Sequence, residues 1–98
     1  MKKGRTVSYE EGLLVRLKEP EYATGYLNAV LEEGDNEEFL IALQHVAKAH
    51  GIGKVARRAR LGRESMYKAL SGKTSPRLET VNRVLHAVGL KIAVLPSF

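Results

Sequence analysis

The stretch VARRARLGRESMYKAL, Val55 to Leu70, decides the fold of this chain. Its first nine residues comprise five that are apolar or small and four arginines, and two runs of helix-forming residues meet at Arg60-Leu61-Gly62. Ala56 on the first run is small, so two helix backbones can approach closely at this position. Met66 on the second run lies at the helical position that faces inward toward the first run. The stretch therefore predicts a short helix, a three-residue turn and a second short helix, which is a helix-turn-helix.

The second predicted helix places four polar side chains on the face away from Met66. Arg63 and Tyr67 are four residues apart, as are Glu64 and Lys68, and side chains at this spacing share one face of a helix. The second helix of a helix-turn-helix enters the major groove of DNA, and flanking arginines then meet phosphates. The alternative is a generic helical hairpin with an exposed basic side.

Charge divides the chain into an acidic half and a basic half, although the net charge is +5. Nine acidic side chains between residues 8 and 38 are opposed only by Arg16 and Lys18, and eight basic side chains between residues 54 and 77 are opposed only by Glu64. This polarity predicts two partner surfaces of different chemistry, and the alternative is two solvated helix faces. The acidic residues are Glu10, Glu11, Glu19, Glu21, Glu32, Glu33, Asp35, Glu37 and Glu38, and the basic ones are Lys54, Arg57, Arg58, Arg60, Arg63, Lys68, Lys73 and Arg77.

The composition is that of one small globular domain. With 98 residues, 44% of them hydrophobic, the chain can bury one core and is too apolar to be disordered. It has no cysteine, which excludes disulfides and thiolate metal sites and fits a reducing cytoplasm. No apolar run is long enough to span a bilayer, and the basic residues 1–5 have no apolar segment behind them. We expect a cytoplasmic protein without a signal peptide or a membrane segment.

Helix start and stop signals divide the chain into elements. Pro20 opens one helix and Gly34 ends it, while Asp35, with Glu38 three residues on, starts the next helix, which Gly51 ends. Two short helices, over about 54–59 and 63–71, and a last helix follow, with Gly89 past its end. The apolar residues that recur at helical spacing and define these helices are Leu13, Leu14 and Leu17; Tyr22, Tyr26, Leu27, Val30 and Leu31; Phe39, Leu40, Leu43, Val46 and Ala47; and Leu78, Val81, Val84, Leu85 and Val88.

The C-terminal segment Leu90 to Leu95 is the part of the chain that predicts a β-strand, because it is rich in β-branched residues and stops at Pro96. A lone strand leaves its backbone unpaired, so a second copy of the chain or a partner protein is the expected source of a pairing edge. Leu90, Ile92 and Val94 are the expected contact residues.

The expected fold is all-α, a bundle of five to six helices around the helix-turn-helix with a short C-terminal β-strand, in a single domain over residues 1–98. Residues 1–7 are expected to form a mobile basic arm, 8–51 an acidic helical half, 52–89 the helix-turn-helix DNA-binding unit, and 90–98 the strand or tail. Because operators are usually read as two half-sites, and a small chain gains from dimer burial, we expect a homodimer.

The sequence contains no catalytic pattern. His45 and His50 are five residues apart, which turns them away from each other on a helix, and His86 is distant. No glutamate–histidine zinc motif, glycine-rich phosphate loop or nucleophile elbow occurs. We therefore expect no enzymatic activity, no metal site and no cofactor.

The segment from YLNAVLEEGD, beginning at Tyr26, through the basic half to KIAV, ending at Val94, resembles the probable addiction-module antidote family. These are HigA-like antitoxins with an XRE-type helix-turn-helix related to phage repressors such as that of lambda. The resemblance implies a bacterial cytoplasmic protein that neutralises a small basic RelE/HigB-like toxin and represses the operator of both genes. Two alternatives are a free-standing phage-like regulator without a toxin and a protein-interaction module.

The resemblance also implies roles for individual residues. Base-reading positions fall on Arg63, Glu64 and Lys68, with Ser65 and Tyr67 beside them. Arg63 would donate two hydrogen bonds to guanine, and Glu64 would either accept one from cytosine or pair with Lys68. The residues expected to contact phosphate and sugar are Lys54, Arg57, Arg60, Lys73, Thr74 and Arg77.

The chain departs from the family pattern at three positions. Arg60 stands where glycine usually takes the turn, so either a left-handed backbone is strained there or the turn differs. Gly53 and Gly62 stand where serine or threonine commonly cap the two helices.

The resemblance implies that the toxin is a basic ribonuclease, whose positive active site a negative surface of the acidic half would cover. Apolar anchors would supply affinity, unless those residues build the domain's own core. The candidate anchors are Tyr9, Leu13, Tyr22 and Phe39.

Overall fold

The computed structural model describes residues 9–98, and the predicted basic arm, residues 1–7, lies outside them. Over this range the chain forms six helices and no strand, which confirms the predicted all-α class. None of these helices has the length and apolar character needed to cross a bilayer. The helices are α1 (Tyr9–Leu17), α2 (Pro20–Glu33), α3 (Asn36–His50), α4 (Ile52–Ala59), α5 (Arg63–Ala69) and α6 (Leu78–Ala87).

The structure contains the helix starts that the sequence predicts at Asp35 and Pro20. The backbone N–H of Glu38 donates to the Asp35 carboxylate at 2.8 Å, and the N–H of Asp35 donates to the Glu38 carboxylate at 3.0 Å, which is a complete capping box at the start of α3. Pro20 is the first residue of α2, where its missing N–H costs no helical bond. Gly51, with φ of 101°, ends α3 and also precedes α4. Helix α4 begins two residues earlier than predicted, and helix α5 ends two residues earlier than predicted.

Helix α3 lies at the centre of the packing, since it contacts α1, α2 and α4, and α4 in turn contacts α5 and α6. The core is wholly apolar, and no buried side-chain nitrogen or oxygen within the described range lacks a hydrogen-bond partner. Burial of this kind is the main source of stability for a small domain. The largest fully buried side chains are Leu17, Leu43, Val46, Val55, Met66, Leu70 and Val84.

Three of the apolar residues at helical spacing lie outside the core, among them Tyr22, for which the sequence left both a core position and a partner contact open. Tyr22, Leu31 and Leu78 are 41%, 60% and 66% exposed. Helix α2 turns Ala23 and Leu27 fully toward α3, so Tyr22 and Leu31 flank the buried stripe instead of filling it. Leu78 is the first residue of α6 and precedes that helix's buried face.

The predicted C-terminal strand does not form in the described chain. Leu90 closes the end of α6, where its N–H donates to the Leu85 carbonyl at 2.8 Å, and it packs half-buried against the core. Beyond it the side chains turn outward, with Val94 92% and Phe98 113% exposed. A strand needs the edge of another strand, and every other described element is a helix.

Arg60 takes the left-handed backbone conformation at the turn between α4 and α5, with φ of 60° and ψ of 43°. The N–H of Leu61 donates to the Ala56 carbonyl at 2.9 Å, the bond that closes a helix after a left-handed residue. Arg60 is the one non-glycine residue with positive φ among those described. Of the two possibilities that the sequence left open, the strained left-handed turn is therefore the one observed.

We expect Arg60→Gly to raise the free energy of unfolding by about 1 kcal/mol, because glycine adopts the left-handed region without the Cβ clash that arginine suffers. Urea unfolding followed by circular dichroism measures this change. Arg57→Gly is the matched control, since it removes the same charge from a right-handed position of α4 and should cost about 1 kcal/mol. A loss of stability in both variants would contradict the strain at Arg60.

Candidate nucleic-acid interface

Helix α5 has one buried side chain and a row of exposed ones. Met66 is fully buried against α4, whereas Arg63, Glu64, Tyr67 and Lys68 are exposed. Ser65 is exposed as well. The structure thus brings all five predicted base-reading residues to the solvent side of one short helix, and two of them are cationic.

The elements before and after α5 carry further exposed cations. Lys54, Arg57 and Arg60 on α4 and its turn, and Lys73 and Arg77 between α5 and α6, are all exposed. We call these five residues, together with Arg63 and Lys68, the basic surface.

The positive field near α4 acts on a neighbouring histidine. Burial, followed by the positive charges of Lys54, Arg58 and Lys18, holds the pKa of His50 below its usual value. Burial is the first of these causes, and Lys54 and Arg58 of the basic half add their positive charge to it.

Of the two glycines expected to cap the short helices, one lies at a cap position and the other does not. Gly62 is the residue before α5 and makes no side-chain capping bond, as predicted. Gly53 is not a cap, because Gly51 precedes α4 and Gly53 lies within its first turn. The Arg63 guanidinium lies against Gly53, with Nη2 only 2.7 Å from where a Cβ would stand. The sequence analysis missed this contact, since nothing in the residue pattern places position 63 over position 53.

The loop after α5 is tied to the end of that helix. The Ser71 and Thr74 hydroxyls both donate to the Lys68 carbonyl, at 2.8 and 3.1 Å, and the Lys73 N–H donates to Ser71 Oγ at 3.1 Å. A hydroxyl has one proton to donate, so Thr74 cannot keep this bond and also donate to a phosphate. Thr74 thus holds the loop through this hydroxyl, and its expected phosphate contact stays a prediction beside those of Lys73 and Arg77.

The acidic half presents its charge to solvent. On α1 to α3 the carboxylates of Glu11, Glu19, Glu21, Glu32, Glu33, Asp35, Glu37 and Glu38 are exposed, and we call them the acidic surface.

Among the candidate anchors beside it, Leu13 belongs to the core and Phe39 packs half-buried against it. Tyr9 is 79% exposed, and Tyr22 lies under the Arg16 guanidinium, whose central carbon is 5.5 Å from the ring centroid. Of the four candidates, the two tyrosines are therefore the ones with exposed side chains.

These features define a small all-helical protein with one basic and one acidic surface. The family model described as "Probable addiction module antidote protein" matches residues 12–96. A protein of Haemophilus influenzae described as an uncharacterized protein is 42% identical over 72 residues, which cover 74% of each chain. No solved structure matches the chain. The chain belongs to the probable addiction module antidote family, and this membership supports an antitoxin role.

Proposed function

We propose that the chain is the antitoxin of a type II toxin–antitoxin module, acting in the cytoplasm without catalytic activity of its own. It binds and neutralises a small basic toxin of the RelE/HigB type, and it binds the operator upstream of both genes as a repressor. The observation that carries the DNA-binding part is the exposed row of α5 above buried Met66. The family match supports the toxin-binding part.

In this proposal α4, the turn and α5 act as an XRE-type helix-turn-helix, and α5 lies in the major groove. Arg63 donates to guanine O6 and N7, Lys68 donates to a neighbouring acceptor, and Glu64 accepts from cytosine. The other cations of the basic surface contact phosphates, which supply most of the affinity. An α-helix fits the width of the major groove, and five of the seven residues of α5 are exposed to make the contact.

The acidic surface suits a basic ribonuclease. Complementary charge mainly speeds association and fixes the relative orientation of two proteins, so these carboxylates steer the toxin. The exposed rings of Tyr9 and Tyr22 are the aromatic anchors that an interface needs for affinity.

The proposal is tested by expressing the chain together with the product of the adjacent gene. We expect the two proteins to copurify, and the chain alone to retard a duplex taken from the DNA upstream of its own gene. Retardation without copurification would favour the free-standing regulator, while copurification without retardation would favour the protein-interaction module.

The homodimer forms, in our proposal, through the apolar tail. Ile92 lines an apolar groove of about 360 Å³ between α3 and α6, together with Phe39, Pro76 and Leu78. The tail beyond it is almost fully exposed. Exposed apolar side chains next to an apolar groove of the same chain fit a two-fold contact, in which each copy's tail lies in the other's groove.

We expect that replacing Val94, Leu95 and Phe98 by serine weakens dimerisation about a hundredfold or more, because each loses the free energy of burying an apolar side chain. Analytical ultracentrifugation measures the change. Val15→Ser is the control, because Val15 is an apolar side chain that is 65% exposed on α1 and is not part of the tail. A monomeric wild type, or an unchanged dimer in the triple variant, would contradict the tail contact.

A further inference from the structure

The side chain of Arg63 reaches from α5 to the first turn of α4. A Cβ built on Gly53 would lie 2.7 Å from Nη2 of Arg63, 3.2 Å from Nε and 3.3 Å from Cζ. Three atoms of one planar group at such distances show that the guanidinium occupies the space that a side chain at position 53 would fill. Arg63 nevertheless remains exposed to solvent.

Helix stability does not explain a glycine at this position. Glycine is among the least favourable residues within a helix, and alanine would be the better choice for α4. The contact also places a cation at the N-terminal turn of α4, where positive charge is disfavoured. The contact therefore adds little to the stability of the free protein.

We propose that Gly53 is a positioning residue for DNA recognition: its missing side chain leaves the space that holds the Arg63 guanidinium beside the exposed row of α5. The inference rests on the proposed DNA-binding function, and it adds a residue that influences the affinity for DNA without touching DNA. A free arginine loses rotamer freedom when it binds, and a guanidinium already held in place loses less of it. Gly53 thus contributes to affinity only through Arg63.

The test is a double-mutant cycle on binding to a fluorescent duplex from the DNA upstream of the gene. We expect Gly53→Ala to weaken binding about two- to tenfold, which is the effect of immobilising one long side chain. Its melting temperature should stay equal or rise, because alanine favours α4 and only the flexible end of Arg63 must move. In the Arg63→Ala background, Gly53→Ala should change affinity by less than about twofold.

Gly25→Ala is the matched control. A Cβ at Gly25, inside α2, would meet no atom within 4 Å, so this variant makes the same change without displacing a side chain. It should leave affinity unchanged. Tighter binding by Gly53→Ala, or additive losses in the cycle, would overturn the positioning role. A wild type that does not bind the duplex would instead contradict the proposed function, so the two failures are distinguishable.

Discussion

Replacing Arg63 and Lys68 together by alanine is expected to weaken binding to the upstream duplex about a hundredfold, because each side chain contributes about 1–3 kcal/mol when it contacts a base. Both are exposed, so the free energy of unfolding should stay within about 1 kcal/mol of the wild type. Fluorescence anisotropy measures the affinity, and urea unfolding measures the stability.

The control for this pair is Lys18→Ala with Arg83→Ala, which removes the same charge from exposed positions outside the basic surface. We expect that variant to lose much less affinity. Equal losses in the two double variants would mean that total charge, and not the exposed row of α5, determines binding.

Replacing Glu32 and Glu33 by lysine reverses the charge of both side chains. We expect this change to slow association with the product of the adjacent gene about tenfold or more at low salt. Both carboxylates are exposed in the last turn of α2, where lysine also suits the helix dipole, so folding should be preserved. Stopped-flow fluorescence measures the rate, and the difference should shrink as salt screens the charges.

In the matched control, Glu64 and Glu79 are replaced by lysine. This change adds the same positive charge, but at exposed positions outside the acidic half. Its association rate should change less. If both variants slow association equally, the acidic surface has no specific role in steering the toxin.

Local signals in the sequence determined much of the architecture. The Asp35–Glu38 capping box, the helix end at Gly51 and the inward orientation of Met66 each depend on residues within a few positions of one another, so the sequence predicts them. The sequence also predicted which side of α5 is exposed, because the position of Met66 sets the orientation of that short helix.

Features that depend on contacts between elements were missed. Helical spacing allowed Tyr22 and Leu31 to face the core, but the packing of α2 on α3 selected Ala23 and Leu27. The contact between Gly53 and Arg63 joins two helices across the turn and leaves no periodic signal. The C-terminal strand was predicted from composition, yet a strand also requires a partner edge that a single chain of helices does not supply.

The central claim, that the basic surface binds DNA, is tested most directly by measuring affinity for the upstream duplex as a function of salt concentration. With six or more phosphates contacted, the logarithm of the binding constant should fall linearly with the logarithm of salt, with a slope of roughly −5 or steeper. A flat line would show that the exposed cations of α4, α5 and the following loop do not contact the duplex, and would contradict the account.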